Sequence, residues 1–182
     1  MYRIFKITKA CLIAFFILIS MLLTNISTIA TAQEHKDTQE NQGEYSLLIK
    51  KREFKVYLLN KDKVELTWDC ALGKAEGQKE RKGDMKTPVV KFVVEEIVDA
   101  SSWTHDFKDG KGEIEGAYGP WFIGLDTSKL SNDEWGGIGI HGTHDNSSIG
   151  KLASEGCIRL KNTDVVQLKR YTFVGMEVTI QD

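Results

Sequence analysis

The sequence predicts a mostly-β domain, a sandwich or barrel-like sheet with one or two short helices and long loops. Three observations predict it. Val64, Leu66, Trp68, Cys70 and Leu72 alternate with Glu65, Thr67, Asp69 and Ala71, the period of a strand with one buried face. Other apolar runs are four to ten residues long and end in glycine or turn residues. Only one stretch, Asp164 to Arg170, carries the charge order and flanking polar residues of a helix.

The elements follow in chain order. Arg3, Lys6 and Lys9 precede the apolar run Cys11–Leu23, and Ala30-Thr31-Ala32 places small residues before Gln33. This is the pattern of a secretory signal peptide over residues 1–32, with an uncleaved anchor as the alternative. Residues 33–44 hold no large apolar residue and are expected to be a flexible tether. The globular part, residues 45–182, begins with the apolar run Tyr45–Lys50. Phe54, Val56 and Leu58 alternate toward a turn at Asn60–Lys63, so the Val64–Leu72 strand returns as a hairpin. Gly73–Lys86 is polar and reads as a surface loop. Val89–Val98, Trp121–Leu125 and Gly137–Ile140 read as strands, and Ala100–Pro120 as a long glycine-rich connection. Ser131–Trp135 suits a turn or short helix. Asn162 or Thr163 can cap the helix, and Met176, Val178 and Ile180 alternate as a last strand.

Composition narrows the function. The 182 residues are 41 % hydrophobic and 27 % charged, a globular balance with a net charge of −2. Residues 33–182 carry 21 basic and 26 acidic side chains, so neither nucleic acid nor an anionic membrane is an expected partner. Cys70 falls in line with core positions and reads as a buried thiol, although an oxidising compartment leaves a Cys70–Cys157 bridge open.

One constellation carries chemistry. Gly139-Ile140-His141-Gly142-Thr143-His144 is followed by Ser154-Glu155-Gly156-Cys157-Ile158-Arg159-Leu160. If Cys157–Leu160 is extended, Cys157 and Arg159 share one exposed face, and Ile158 and Leu160 turn to the core. A neighbouring imidazole can take the proton of a thiol. Gly156 leaves nearby amides open to an oxyanion, and Arg159 can hold a carboxylate in two-pronged fashion. A zinc site of His141, His144 and Cys157 is a chemically possible rival.

The segment Gly139–Ile180 resembles the YkuD-type L,D-transpeptidase catalytic domain. The resemblance rests on Ile140–Thr143 (IHGT), Ser148–Lys151 (SIGK), Ser154–Leu160 (SEGCIRL) and Asn162–Val165 (NTDV), and it extends more weakly back to Tyr45. It implies the L,D-transpeptidase fold and action on peptidoglycan stem peptides, with no metal and no cofactor. Cys157 would be the nucleophile and His141 the base. Gly142 would orient His141, Gly156 would shape the oxyanion hole, and Arg159, Ser154 and Thr143 would meet substrate. Many relatives carry His before the Gly-Cys pair; this chain carries Glu155. The same nucleophile with water as acceptor would be an L,D-carboxypeptidase, and a wall-binding module without catalysis is the third reading. A monomer outside the cytoplasm is expected, with no membrane span after signal cleavage.

Overall fold

The computed structural model describes residues 44–128 and 135–182. The expected leader, the expected tether up to residue 43, and most of the Ser131–Trp135 segment lie outside the described residues. Twelve strands are described: β1 (Tyr45–Lys50), β2 (Lys55–Asn60), β3 (Lys63–Asp69), β4 (Leu72–Gly73), β5 (Lys91–Asp99), β6 (Thr104–Asp106), β7 (Glu113–Glu115), β8 (Trp121–Leu125), β9 (Gly139–His141), β10 (Leu152–Ser154), β11 (Ile158–Arg159) and β12 (Glu177–Gln181). One α-helix, α1 (Asn162–Lys169), joins β11 to the last part of the chain.

Eight strands form one sheet in the order β11-β9-β8-β5-β12-β1-β2-β3. The β1–β12 and β9–β11 pairs are parallel. The ends of this sheet meet. Ala71, just past β3, donates to the Arg159 carbonyl at 2.8 Å, and the Arg159 amide returns a bond to Ala71 at 2.9 Å. The sheet therefore curls nearly into a barrel, which removes β11 from an exposed edge. Leu47, Ile49, Val56, Leu58, Val94, Ile123, Ile140, Ile158, Val178 and Ile180 fill the interior, each less than 2 % exposed. Val165 and Leu168 of α1 join the same core, and Gln167 accepts from Trp68 Nε1 at 3.0 Å.

Three expectations are corrected. The alternation from Val64 to Leu72 does not run as one strand. The β2–β3 register slips between Leu58 and Leu59, leaving Glu65 unpaired as a bulge, and Val64 is exposed. Gly73–Lys86 is not wholly a surface loop, because Lys79 is buried against Asp84 at 2.7 Å and lies over the Trp135 ring. Burial pushes the Asp84 carboxyl up, but bonds from Lys79 and the amides of Glu80, Arg81 and Lys86 outweigh it and hold it below the usual carboxylate range. Finally, neither Asn162 nor Thr163 caps α1: the cap position is Lys161, which makes no side-chain cap, and the Asn162 side chain accepts from the Thr143 amide.

Candidate active site

The parallel pairing of β9 and β11 sets Arg159 opposite His141 and Ile158 opposite Ile140. The Leu160 amide donates to the His141 carbonyl at 2.8 Å, which fixes the register. Strand pairing thus converts sixteen residues of separation into adjacency. Cys157, on the turn entering β11, and His141, at the end of β9, line one pocket of about 250 Å³ together with Arg159, Tyr118, His105 and Glu155. A larger cleft of about 410 Å³ lies over Lys51, Arg52, Phe54 and Leu152 but holds no thiol or imidazole.

Both Cys70 and Cys157 are free thiols; Cys70 is sealed in the core and Cys157 is half-buried. The Cys157 thiol donates to the Gly137 carbonyl at 3.3 Å. Burial pushes its pKa up, while a backbone hydrogen bond from Gly139 and the Arg159 charge pull it down. His141 is 3 % exposed, with Nδ1 donating to the Gly142 carbonyl at 2.6 Å. A carbonyl only accepts, so the proton sits on Nδ1 and Nε2 is the basic nitrogen. Burial lowers the imidazole pKa to about 3, against the raising effect of the Gly142 bond. The resting site accordingly holds a neutral thiol and a neutral imidazole.

Arg159 departs from expectation. It is 6 % exposed rather than on an open surface, because the Ala71 pairing encloses its strand on the second side. Its guanidinium lies 4.9 Å from the Phe107 ring, and its Nε has no hydrogen-bond partner. A guanidinium that lines the pocket beside the thiol is suited to a carboxylate or carbonyl oxygen.

The turn that carries Cys157 is locked by neighbours. Ser154 Oγ donates to the Cys157 carbonyl at 2.5 Å and accepts from the Gly156 amide at 3.1 Å. The Gly156 amide, expected to face an oxyanion, is therefore already engaged. Ser154 lines the pocket, yet its hydroxyl is spent on the turn. Gly156 has φ +132, and a Cβ there would lie 2.9 Å from the Lys86 carbonyl. Thr87 donates to the Gly156 carbonyl at 2.9 Å. Thr143, expected on substrate, is 2 % exposed and does not line the pocket; its hydroxyl caps the next turn by accepting from the Asp145 amide at 3.1 Å.

Sequence reasoning missed Asn162, Thr87, Tyr118 and His105. Asn162 Oδ1 accepts from the Thr143 amide at 2.9 Å and sits where a Cβ on Gly119 or Gly142 would be, 2.3 Å from each. Asn162 stands in the short motif Asn-Thr-Asp-Val, where it reads as a helix cap. Tyr118 and His105 carry no spacing signal toward Cys157. The Tyr118 ring centroid is 4.8 Å from that of His141. His144 is exposed and stacks near Phe107 at 5.2 Å. Among the described residues, no three His, Cys, Asp or Glu side chains gather as they would around a metal ion.

Comparison with known proteins gives the family. The YkuD family profile, described as the L,D-transpeptidase catalytic domain, matches residues 44–180. The chain is 30 % identical over 140 residues to YqjB of Bacillus subtilis, a protein named as an L,D-transpeptidase only provisionally; the match covers 77 % of this chain and 73 % of YqjB. It is 52 % identical over 42 residues to YkuD of the same organism, named in the same provisional way, a match spanning 23 % of this chain and 26 % of YkuD. Among solved structures, the catalytic domain of the E. faecium L,D-transpeptidase aligns with a TM-score of 0.54 at 19 % identity, over 75 % of this chain and 96 % of that one. An L,D-transpeptidase from Mycobacterium smegmatis aligns with a TM-score of 0.55 at 16 % identity, over 76 % of this chain and 59 % of that one. These two likenesses show the fold, and the sequence match shows the membership: the chain belongs to the YkuD family of L,D-transpeptidase catalytic domains.

Proposed function

We propose that this protein is an exported cysteine acyltransferase that cross-links peptidoglycan stem peptides. The observation that carries the reading is the β9–β11 pairing, which sets His141, Cys157 and the buried Arg159 around one pocket. Cys157 Sγ attacks the carbonyl carbon of the third stem residue and forms a thioester. The C–N bond to the terminal D-alanine breaks, and the thiol proton passes through His141 to the leaving amine. An amine of a neighbouring stem then attacks the thioester, forming the 3→3 amide link, and its proton returns through His141 to the sulfur.

The neutral resting pair shapes this step. Burial opposes both thiolate and imidazolium, so proton transfer accompanies attack on the carbonyl instead of preceding it. Arg159 supplies a fixed positive charge for a substrate carboxylate. Ser154 and Thr87 hold the Cys157 turn in shape, while Asn162 positions the loop after His141. Action outside the cytoplasm is supported by the charged start, apolar run and small-residue site in residues 1–32. Among the described residues, no helix is long and apolar enough to cross a membrane.

Mass spectrometry of purified muropeptides after incubation with the protein tests the reading. Cross-linked dimers that have lost one D-alanine are expected. Trimmed tripeptides without dimers would make water the acceptor, an L,D-carboxypeptidase, and unchanged tetrapeptides would reduce the chain to a wall-binding module.

A further inference from the structure

The β6–β7 hairpin stands outside the eight-stranded sheet. Its strands are three residues each, with Thr104 opposite Glu115 and Asp106 opposite Glu113. A two-stranded hairpin of that length is not stable alone, so its position depends on what ties it down. Around it, Trp103 packs on Tyr118 and Phe122, and the Ala100 amide donates to the Pro120 carbonyl, so these contacts fasten its base. The hydrogen bond that leaves the hairpin for the nucleophile turn joins His105 Nε2 to Glu155 Oε2 at 3.2 Å. The other ring nitrogen, Nδ1, lies 3.2 Å from the Tyr118 hydroxyl. One tautomer satisfies both contacts. Nε2–H donates to the carboxylate, and Nδ1 accepts the Tyr118 hydroxyl proton. Glu155 is two residues from Cys157, and the Tyr118 ring lies against His141. The imidazole thus bridges the neighbourhoods of both reacting groups. One turn further on, Phe107 packs on His105 at 4.4 Å and covers the Arg159 guanidinium.

We propose that His105 is the latch of this pocket, a positioning residue that ties the β6–β7 hairpin to the nucleophile turn and so holds Phe107 over Arg159 as a wall that selects substrate. Without the latch the hairpin swings on its base, the wall opens and the anion-binding side of the pocket loses its cover. Substrate binding weakens, while the thiol and imidazole, held by β9 and β11, keep their chemistry. The proposal rests on the acyltransfer reading for its kinetic prediction but not for its structural one.

The experiment uses the full chain in three variants. His105→Phe keeps the ring and removes both hydrogen bonds. His105→Gln removes the ring but offers an amide N–H to Glu155 and an oxygen to Tyr118. Glu155→Gln keeps an acceptor for His105. Rates of Cys157 modification by iodoacetamide and by a maleimide bearing a polyethylene glycol arm are read at the Cys157 peptide by mass spectrometry. KM and kcat are measured for D-alanine release from tetrapeptide. The bulky-to-small rate ratio and KM are each expected to rise about tenfold in His105→Phe, the size of one lost charge-assisted bond, with kcat within twofold. His105→Gln is expected to stay near wild type in both, and Glu155→Gln, which keeps the acceptor but loses its charge, to fall between wild type and His105→Phe. Equal ratios and equal KM in wild type and His105→Phe overturn the latch, as does a His105→Gln variant as impaired as His105→Phe. A wild-type protein that releases no D-alanine sinks the acyltransfer reading instead, and the modification ratios still decide the latch.

Discussion

Cys70 and Cys157 are the same residue in two settings, and the contrast shows what makes a thiol useful. Cys70 is wholly buried just past β3, and burial, helped by the Asp69 charge, pushes its thiol up to about 12. Its side chain is 0 % exposed, and it does not line the pocket that holds Cys157. Cys157 is also raised by burial, but it sits on a turn at the mouth of a pocket, with the Gly139 bond and the Arg159 charge opposing that rise. On the proposed reading, reactivity would come from the turn, from access and from a compensating cation, and the two thiols differ in each.

Substitution at the two cysteines gives the largest effect. Cys157→Ala is expected to abolish D-alanine release from a tetrapeptide muropeptide, while Cys70→Ala keeps most activity and costs about 1 kcal/mol in denaturant unfolding. Equal loss of activity in both variants would break the contrast. Next in size, His141→Ala should slow acylation by ~10²–10⁴, measured by stopped-flow or by intact-mass kinetics. Arg159→Lys should lower kcat/KM by about tenfold, because an ammonium lacks the planar fork; unchanged kinetics would make Arg159 a packing residue only. The last prediction concerns acid and is read in stability, not in rate. His141 is depressed to about 3 from an unfolded value near 6.5, so the unfolded chain takes up a proton first as pH falls. Its contribution to stability is complete above pH 6.5 and declines toward pH 3, by about 1.4 kcal/mol per pH unit at most. His141→Gln should flatten that part of the stability profile, as followed by thermal melts across pH.

Much of this was legible in the sequence because it is periodic or contiguous. β2 carries the alternation of Val56 and Leu58, Trp121–Leu125 is a short apolar run, and β1 begins at Tyr45 as expected. That His141 and Cys157 share one pocket was legible because both stand in short, unusual motifs. Arg159 was misjudged since a two-residue strand looks like an open edge until Ala71 is seen closing it. Asn162 was misjudged because the same amide that caps helices also fits between two glycines. His105 was invisible, because a side chain fifty-two residues from Cys157 reaches the pocket only through the folding of a hairpin. Local chemistry is written locally; the support for it comes from contacts that only the closed sheet creates.

Gly119, Gly142 and Asn162 also constrain how this protein can change. A methyl group on either glycine would occupy the place of the Asn162 oxygen, and the two glycine backbones themselves approach within 3.0 Å of such a group. The three positions are therefore locked to one another as a set. In a library randomised at all three, survivors should keep the small–small–amide combination together, and single departures should fail in ways that a second change at the partner position does not repair. Epistasis of this kind would make that crossing the slowest-drifting part of the domain, although none of its three side chains is the nucleophile or the base.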